Sequence, residues 1–110
     1  MLEEVTSDMR VYGQEAFGPL AVVHRVDDIE QAAALANDTT FGLSSSVWTT
    51  DLDEERFLIP RLEAGAVFVN GMSVSYPELP FGGVKDSGIG RELAAEGIRE
   101  FCNLKTVWKG

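Results

Sequence analysis

Hydrophobic positions along the chain fall into two recurring patterns: short continuous runs, and repeats spaced three or four residues apart. Leu20 to Val23 with Val26 form an apolar, β-branched run after Gly18-Pro19, which predicts a buried strand opened by a turn. Ile29, Ala32, Ala33 and Ala36 then repeat at i, i+3, i+4 and i+7, so a helix follows, capped by Asp27 or Asp28 and stopped at Asn37-Asp38. A second strand is predicted from about Leu43 to Thr49, with Val47 and Trp48 supplying its β preference. Asp51 can cap a second helix running toward Glu63, with Gly65 in the position glycine favours after a helix. Pro60 interrupts that helix, at a cost of about 3 kcal/mol for an interior proline, so a kink or break is expected between Phe57 and Pro60. The strand Ala66 to Asn70, a glycine-rich loop, a helix from about Arg91 to Phe101 and a terminal strand Leu104 to Trp108 complete the order. Strands alternating with helices predict an α/β fold built on a mostly parallel sheet of about four strands.

Residues 1 to 13 follow neither period, and they read as a connector whose partner elements lie outside the chain. The stretch PFGGVKDSGIGRE, residues 80 to 92, carries four glycines in thirteen residues. Glycine in that density is retained where backbone must turn sharply or approach something closely. A phosphate cradle is the first idea it suggests, and the spacing rejects it. From Gly83 the second glycine of a Walker loop falls at Gly88, but Ile89 and Gly90 stand where Lys and Ser/Thr are required. A dinucleotide fingerprint begun at Gly88 and Gly90 meets Leu93 at its third small position. The loop is therefore no generic nucleotide site.

Composition narrows the classes. The chain has 110 residues, 45% of them hydrophobic, enough for one domain with a core and too many for a disordered segment. Nine basic residues against eighteen acidic ones give a net charge of -9, which disfavours nucleic acid and anionic membrane surfaces. Cys102 is the single cysteine, so no internal disulfide forms and a reducing compartment fits. No apolar run approaches the length of a membrane span, and the acidic opening MLEEVTSDM is unlike a secretion signal. The chain reads as soluble and cytoplasmic.

Groups able to do chemistry are sparse. His24 lies inside the first predicted strand, where a structural role is expected, and Cys102 falls at the end of the last helix without a histidine near it in sequence. No cluster has metal-ligand spacing, and the acidic runs Glu3-Glu4, Asp27-Asp28 and Asp53-Glu54-Glu55 suit solvated faces and helix starts. Glu15 and Phe17 stand two apart before the Gly18-Pro19 turn, so an extended backbone would point them the same way. A carboxylate accepts two hydrogen bonds from vicinal hydroxyls and an aromatic face packs on a flat heterocycle; a surface glutamate beside a core phenylalanine is the plainer reading of the pair.

Taken in order, QEAFGP, ALANDTTFGLSSSVWTTDLDE, LEAGAVFVN, PFGGVKDSGIGRE and LKTVWK make the chain resemble, from end to end, the C-terminal part of the aldehyde dehydrogenase catalytic domain. VTSDMRVYGQEAFGPLAVVHRV and NGMSVSYPELPFGGVK look most like its succinate-semialdehyde dehydrogenase branch. In that family a cysteine thiolate attacks the aldehyde, hydride passes to NAD or NADP, and a glutamate-activated water hydrolyses the thioester. The resemblance implies that Glu15 binds the nicotinamide ribose hydroxyls and Phe17 packs near the nicotinamide. It implies that residues 70 to 76 line the aldehyde entrance, that Phe81 is on the pocket wall, and that Ser73 and Ser75 help hold a substrate carboxylate, with the usual arginine supplied from elsewhere. Residues 1 to 19 would then be a connector carrying the cofactor contact, and residues 20 to 110 the α/β unit.

The same resemblance implies absences. The nucleophilic cysteine, the general-base glutamate and the dinucleotide-binding domain precede QEAFGP in the family, so no catalytic residue is assigned in this chain, which alone is expected to be inactive and to bind no cofactor. Gln14, where the family often has glutamate, and Pro60 depart from its pattern. An aldehyde is the expected small-molecule partner of the complete enzyme. The other readings of the chain are a self-associating module that pairs through Leu104 to Trp108, giving a homo-oligomer, and one subunit of a split enzyme completed by a partner with the upstream domain.

Overall fold

A computed structural model describes all 110 residues, which divide into two compact units, Met1–Thr40 and Phe41–Gly110. In the first unit, α1 (Arg10–Gly13) is a single turn and α2 (Ile29–Asn37) is the one substantial helix. Asp28 caps α2 by accepting from the Gln31 backbone N–H at 2.7 Å, and the Gln31 side chain reaches back to accept from the Asp27 N–H, also at 2.7 Å. One donor that a helix start leaves unpaired, and the N–H just before the cap, are thereby satisfied. Ala33 on the apolar face of α2 and Val5 in the N-terminal segment are the buried hydrophobic residues of this unit.

The strand expected over residues 20 to 26 does not form. Its run contributes one parallel bridge, Leu2 to Val22, held by Leu2 N–H to the Ala21 carbonyl at 2.8 Å and Val23 N–H to the Leu2 carbonyl at 2.9 Å. A strand exists only through a ladder with a neighbour, and within its own unit this run meets a single residue of another segment. Leu20, Val23 and Val26 are accordingly exposed.

The second unit holds a β-α-β arrangement: β1 (Ser44–Val47), α3 (Leu52–Leu58) and β2 (Ala66–Val69). β1 and β2 pair in parallel with Ser44 opposite Ala66 and Val47 opposite Val69, and Val47 is buried. The sheet has these two strands, where about four were expected. Asp51 caps α3 through Oδ1, which accepts from the N–H groups of Asp53 (2.7 Å) and Glu54 (3.4 Å). The helix ends at Leu58, short of the expected Glu63 and at the expected break. Pro60 has no N–H to continue the ladder, so the backbone closes with Arg61 and Leu62 both donating to the Leu58 carbonyl at 3.0 Å.

Beyond β2 lies a long segment whose regular pieces are a 3-10 turn at Lys85–Ser87 and an antiparallel bridge between Phe81 and Glu92. The last helix, α4 (Ala94–Arg99), is shorter than the expected 91 to 101, because Leu93 and Ala94 take positive φ values of 63° and 50° and break the backbone from the glycine loop. No strand forms at Leu104 to Trp108; those residues are exposed and no neighbouring ladder receives them. No helix is long and apolar enough to cross a membrane.

Candidate functional site

The carboxyl end of β2 leads into the segment that carries the candidates Ser73, Ser75 and Phe81, and Asn70 is the junction between sheet and loop. Its φ of 52° lies in the left-handed region, which asparagine tolerates better than most residues. Its N–H continues the ladder to the Val47 carbonyl at 2.8 Å. Its side-chain amide then clasps the backbone of Thr49 twice: Oδ1 accepts from the Thr49 N–H at 3.0 Å, and Nδ2 donates to the Thr49 carbonyl at 2.8 Å. A side chain thus pairs with β1's continuation where main chain would otherwise do so.

Past that clasp, Ser73 comes back to the beginning of β1, where its Oγ lies 2.7 Å from Oγ of Ser44. Ser75 is exposed and unpaired. The segment is tied again farther on, where the Ala94 N–H donates to the Pro77 carbonyl at 3.1 Å. Phe81 exchanges two backbone hydrogen bonds with Glu92, at 2.9 and 2.7 Å, and its half-buried ring lines an open concavity of about 380 Å³ with Leu43, Ser87 and Arg91. No hydrogen bond joins Ser73, Ser75 and Phe81 to one another.

The glycine loop is held by groups that would not fit with larger residues. A Cβ at Gly65 would meet the Gly82 carbonyl oxygen at 1.7 Å, so the end of the α3 connection and the loop touch backbone to backbone. Gly88, at φ 143°, takes a conformation that other residues rarely adopt. Arg91 Nη1 donates to the carbonyls of Gly83 (2.9 Å) and Gly90 (2.7 Å), and Ser87 Oγ accepts from the Gly42 N–H at 2.9 Å. Lys85 Nζ pairs with Glu63 Oε2 at 2.8 Å. These loop groups are occupied with shaping backbone.

Glu15 and Phe17 belong to the first unit, in irregular backbone after α1. Both are exposed, Phe17 to 94%, and the Glu15 carboxylate has no partner within the chain. Nearby, the Tyr12 hydroxyl donates to Asp38 Oδ2 and the Tyr12 ring stands edge-on to His24, with centroids 5.8 Å apart. The hydrogen bond to Asp38 holds the Tyr12 pKa above its usual range. His24 thus sits against an aromatic partner, as a structural histidine does. Cys102 is exposed and its Sγ donates to the Ile98 carbonyl at 3.4 Å. No group of His, Cys, Asp and Glu is arranged to hold a metal ion. Sequence reasoning passed over the engagement of Ser44 and the Tyr12–Asp38 contact. Their partners lie 29 and 26 residues away, and no local pattern links them.

A family model described as the aldehyde dehydrogenase family matches residues 1–107. This chain belongs to the aldehyde dehydrogenase family. Among its relatives, a protein named succinate-semialdehyde dehydrogenase [NADP(+)] 1 of Mycobacterium ulcerans (strain Agy99) is 60% identical over all 110 residues, which are 24% of that protein. The identically named protein of Mycobacterium tuberculosis (strain ATCC 25618 / H37Rv) is 58% identical over 98% of this chain and 24% of its own length. Of solved structures, the succinic semialdehyde dehydrogenase of Streptococcus pyogenes in complex with NADP+ superposes with a TM-score of 0.89 at 36% identity, covering 97% of this chain and 24% of that one. A salicylaldehyde dehydrogenase from Pseudomonas putida G7 superposes at 0.87 with 39% identity, over 94% and 22% of the two chains. The chain spans about a quarter of the length of these aldehyde dehydrogenases. Its parallel β1-β2 pair with intervening helix is part of the aldehyde dehydrogenase fold.

Proposed function

We propose that this chain supplies the carboxyl-terminal part of the catalytic domain of an NADP-dependent succinate-semialdehyde dehydrogenase. The observation that carries the reading is the 60% identity, over an alignment spanning all 110 residues, to a protein whose name states that substrate and that cofactor. Sparse burial supports it: Val5, Ala33 and Val47 are the buried hydrophobic residues of the chain, far fewer than an independent domain of this length encloses.

In this reading Glu15 accepts hydrogen bonds from the nicotinamide ribose hydroxyls and the Phe17 ring packs near the nicotinamide. An exposed, unpartnered carboxylate and an exposed ring fit that group chemically. When bound, the dinucleotide supplies the hydride acceptor. Residues 70 to 76 line the aldehyde entrance, Ser73 and Ser75 donate to the substrate's distal carboxylate, and Phe81 walls the pocket against water. The nucleophile and the general base come from outside these residues. Cys102 is not promoted to that role: it lies after the pocket motifs, exposed, with its Sγ donating to the Ile98 carbonyl at 3.4 Å.

The test is a graft in which these 110 residues replace the matching segment of the Mycobacterium ulcerans protein. The folded graft is expected to oxidise succinate semialdehyde with NADP, while the 110-residue chain alone gives no turnover above a heat-treated control. A folded but inactive graft, or turnover by the chain alone, contradicts the proposal.

A further inference from the structure

The serine run Ser44-Ser45-Ser46 has no part in the reading above, yet one of its members is engaged. Ser44 opens β1, and its Oγ is 2.7 Å from that of Ser73; neither hydroxyl makes another hydrogen bond. The contact is built from both sides. Ser44 is fixed by its place in the parallel ladder opposite Ala66. Ser73 is fixed by the Asn70 clasp on Thr49, beyond the far end of β1, from which residues 71 and 72 carry the backbone back to the strand's beginning.

A serine hydroxyl offers one proton and two acceptor sites, and its proton rotates to suit its partners. When Ser44 donates to Ser73, the Ser73 proton is freed to point at a third group, and the first bond polarises the second. A carboxylate, which only accepts, selects that orientation. A substrate end without charge has no such demand. We infer that Ser44 is a positioning residue that acts through Ser73 and sets the preference for aldehydes carrying a carboxylate. The inference rests on the proposed placement of Ser73 at the substrate carboxylate.

The active graft described above tests it with succinate semialdehyde and with butanal, an uncharged aldehyde of equal chain length. S44A is expected to raise KM for succinate semialdehyde about fivefold, the worth of one net hydrogen bond, with kcat and the butanal kinetics unchanged. S44T, which keeps the hydroxyl, is expected to restore KM. Equal changes for the two aldehydes, no change for either, or failure of S44T to restore KM overturns the inference while leaving the functional reading standing. A folded, unsubstituted graft inactive on both aldehydes removes that reading and the inference with it. In the 110-residue chain, S44A is expected to move the amide resonances of residues 72 to 75 and to leave those of Val69 and Phe68 in place. Shifts spread through β2 would mean that Ser44 merely supports the sheet, which also overturns the inference.

Discussion

The close contacts in this chain are made by single residues chosen for what they lack or tolerate. Gly65 has no Cβ, and Gly82 backbone occupies the space one would fill. Gly65→Ala forces backbone to move on both sides, so the loss is expected to exceed the roughly 1–3 kcal/mol usual for overpacking, read as a lowered denaturation midpoint. Gly13, with open space around it, provides the control: Gly13→Ala meets no neighbour. Tyr12 gives a second residue-scale test. Its pKa is raised above 10.0, first by the hydrogen bond to Asp38, then by desolvation and by the Asp38 charge, so the protonated phenol is the favoured form. The stability from this contact is present below the ordinary tyrosine range and is lost as pH rises through the raised value. Absorbance titration should show the Tyr12 phenolate forming above the ordinary tyrosine range, and D38N should bring it down toward that range. A tyrosine unmoved by D38N would mean that the contact is absent in solution. The glycine loop was legible as a built loop from composition alone. The Ser44–Ser73 and Tyr12–Asp38 pairs were not, because chain reversal brings them together.

Elements were legible where their cause is local. The i, i+3, i+4, i+7 repeat of Ile29 with Ala32, Ala33 and Ala36 and the Asp28 cap specify α2 without help, and Pro60 ends α3 by removing one donor. D28A is expected to cost about 1 kcal/mol, the usual worth of such a cap, measured as a loss of helical circular dichroism signal and of stability together. D28N keeps an accepting oxygen and should cost much less. Strands obey no such local rule. Leu20 to Val26 and Leu104 to Trp108 have β-forming side chains but meet no ladder within their own units, so one becomes a single bridge and the other no strand. β1 succeeds with three serines in four residues because β2 lies beside it. The late start of α4 falls where Leu93 and Ala94 take positive φ, which no side-chain pattern signals.

At the scale of the whole chain, motif order carried more than hydrophobic pattern. Pattern predicted a larger sheet and a fuller core than two strands and a few buried residues provide. The five motifs pointed to the family, and the chain spans about a quarter of the length of the relatives it matches. Of the candidate site residues, Ser73 and Phe81 are anchored by contacts within the second unit, whereas Glu15 and Phe17 are exposed and unpartnered in the first. As proposed above, these 110 residues complete a succinate-semialdehyde pocket. The most direct measurement is kcat/KM of the purified, folded graft with NADP, for succinate semialdehyde and for butanal. The result expected is oxidation of succinate semialdehyde within about tenfold of the parent enzyme and a clear preference for it over butanal, a spread of about 1.4 kcal/mol for each factor of ten. A folded graft that oxidises neither aldehyde, or accepts both equally, contradicts it.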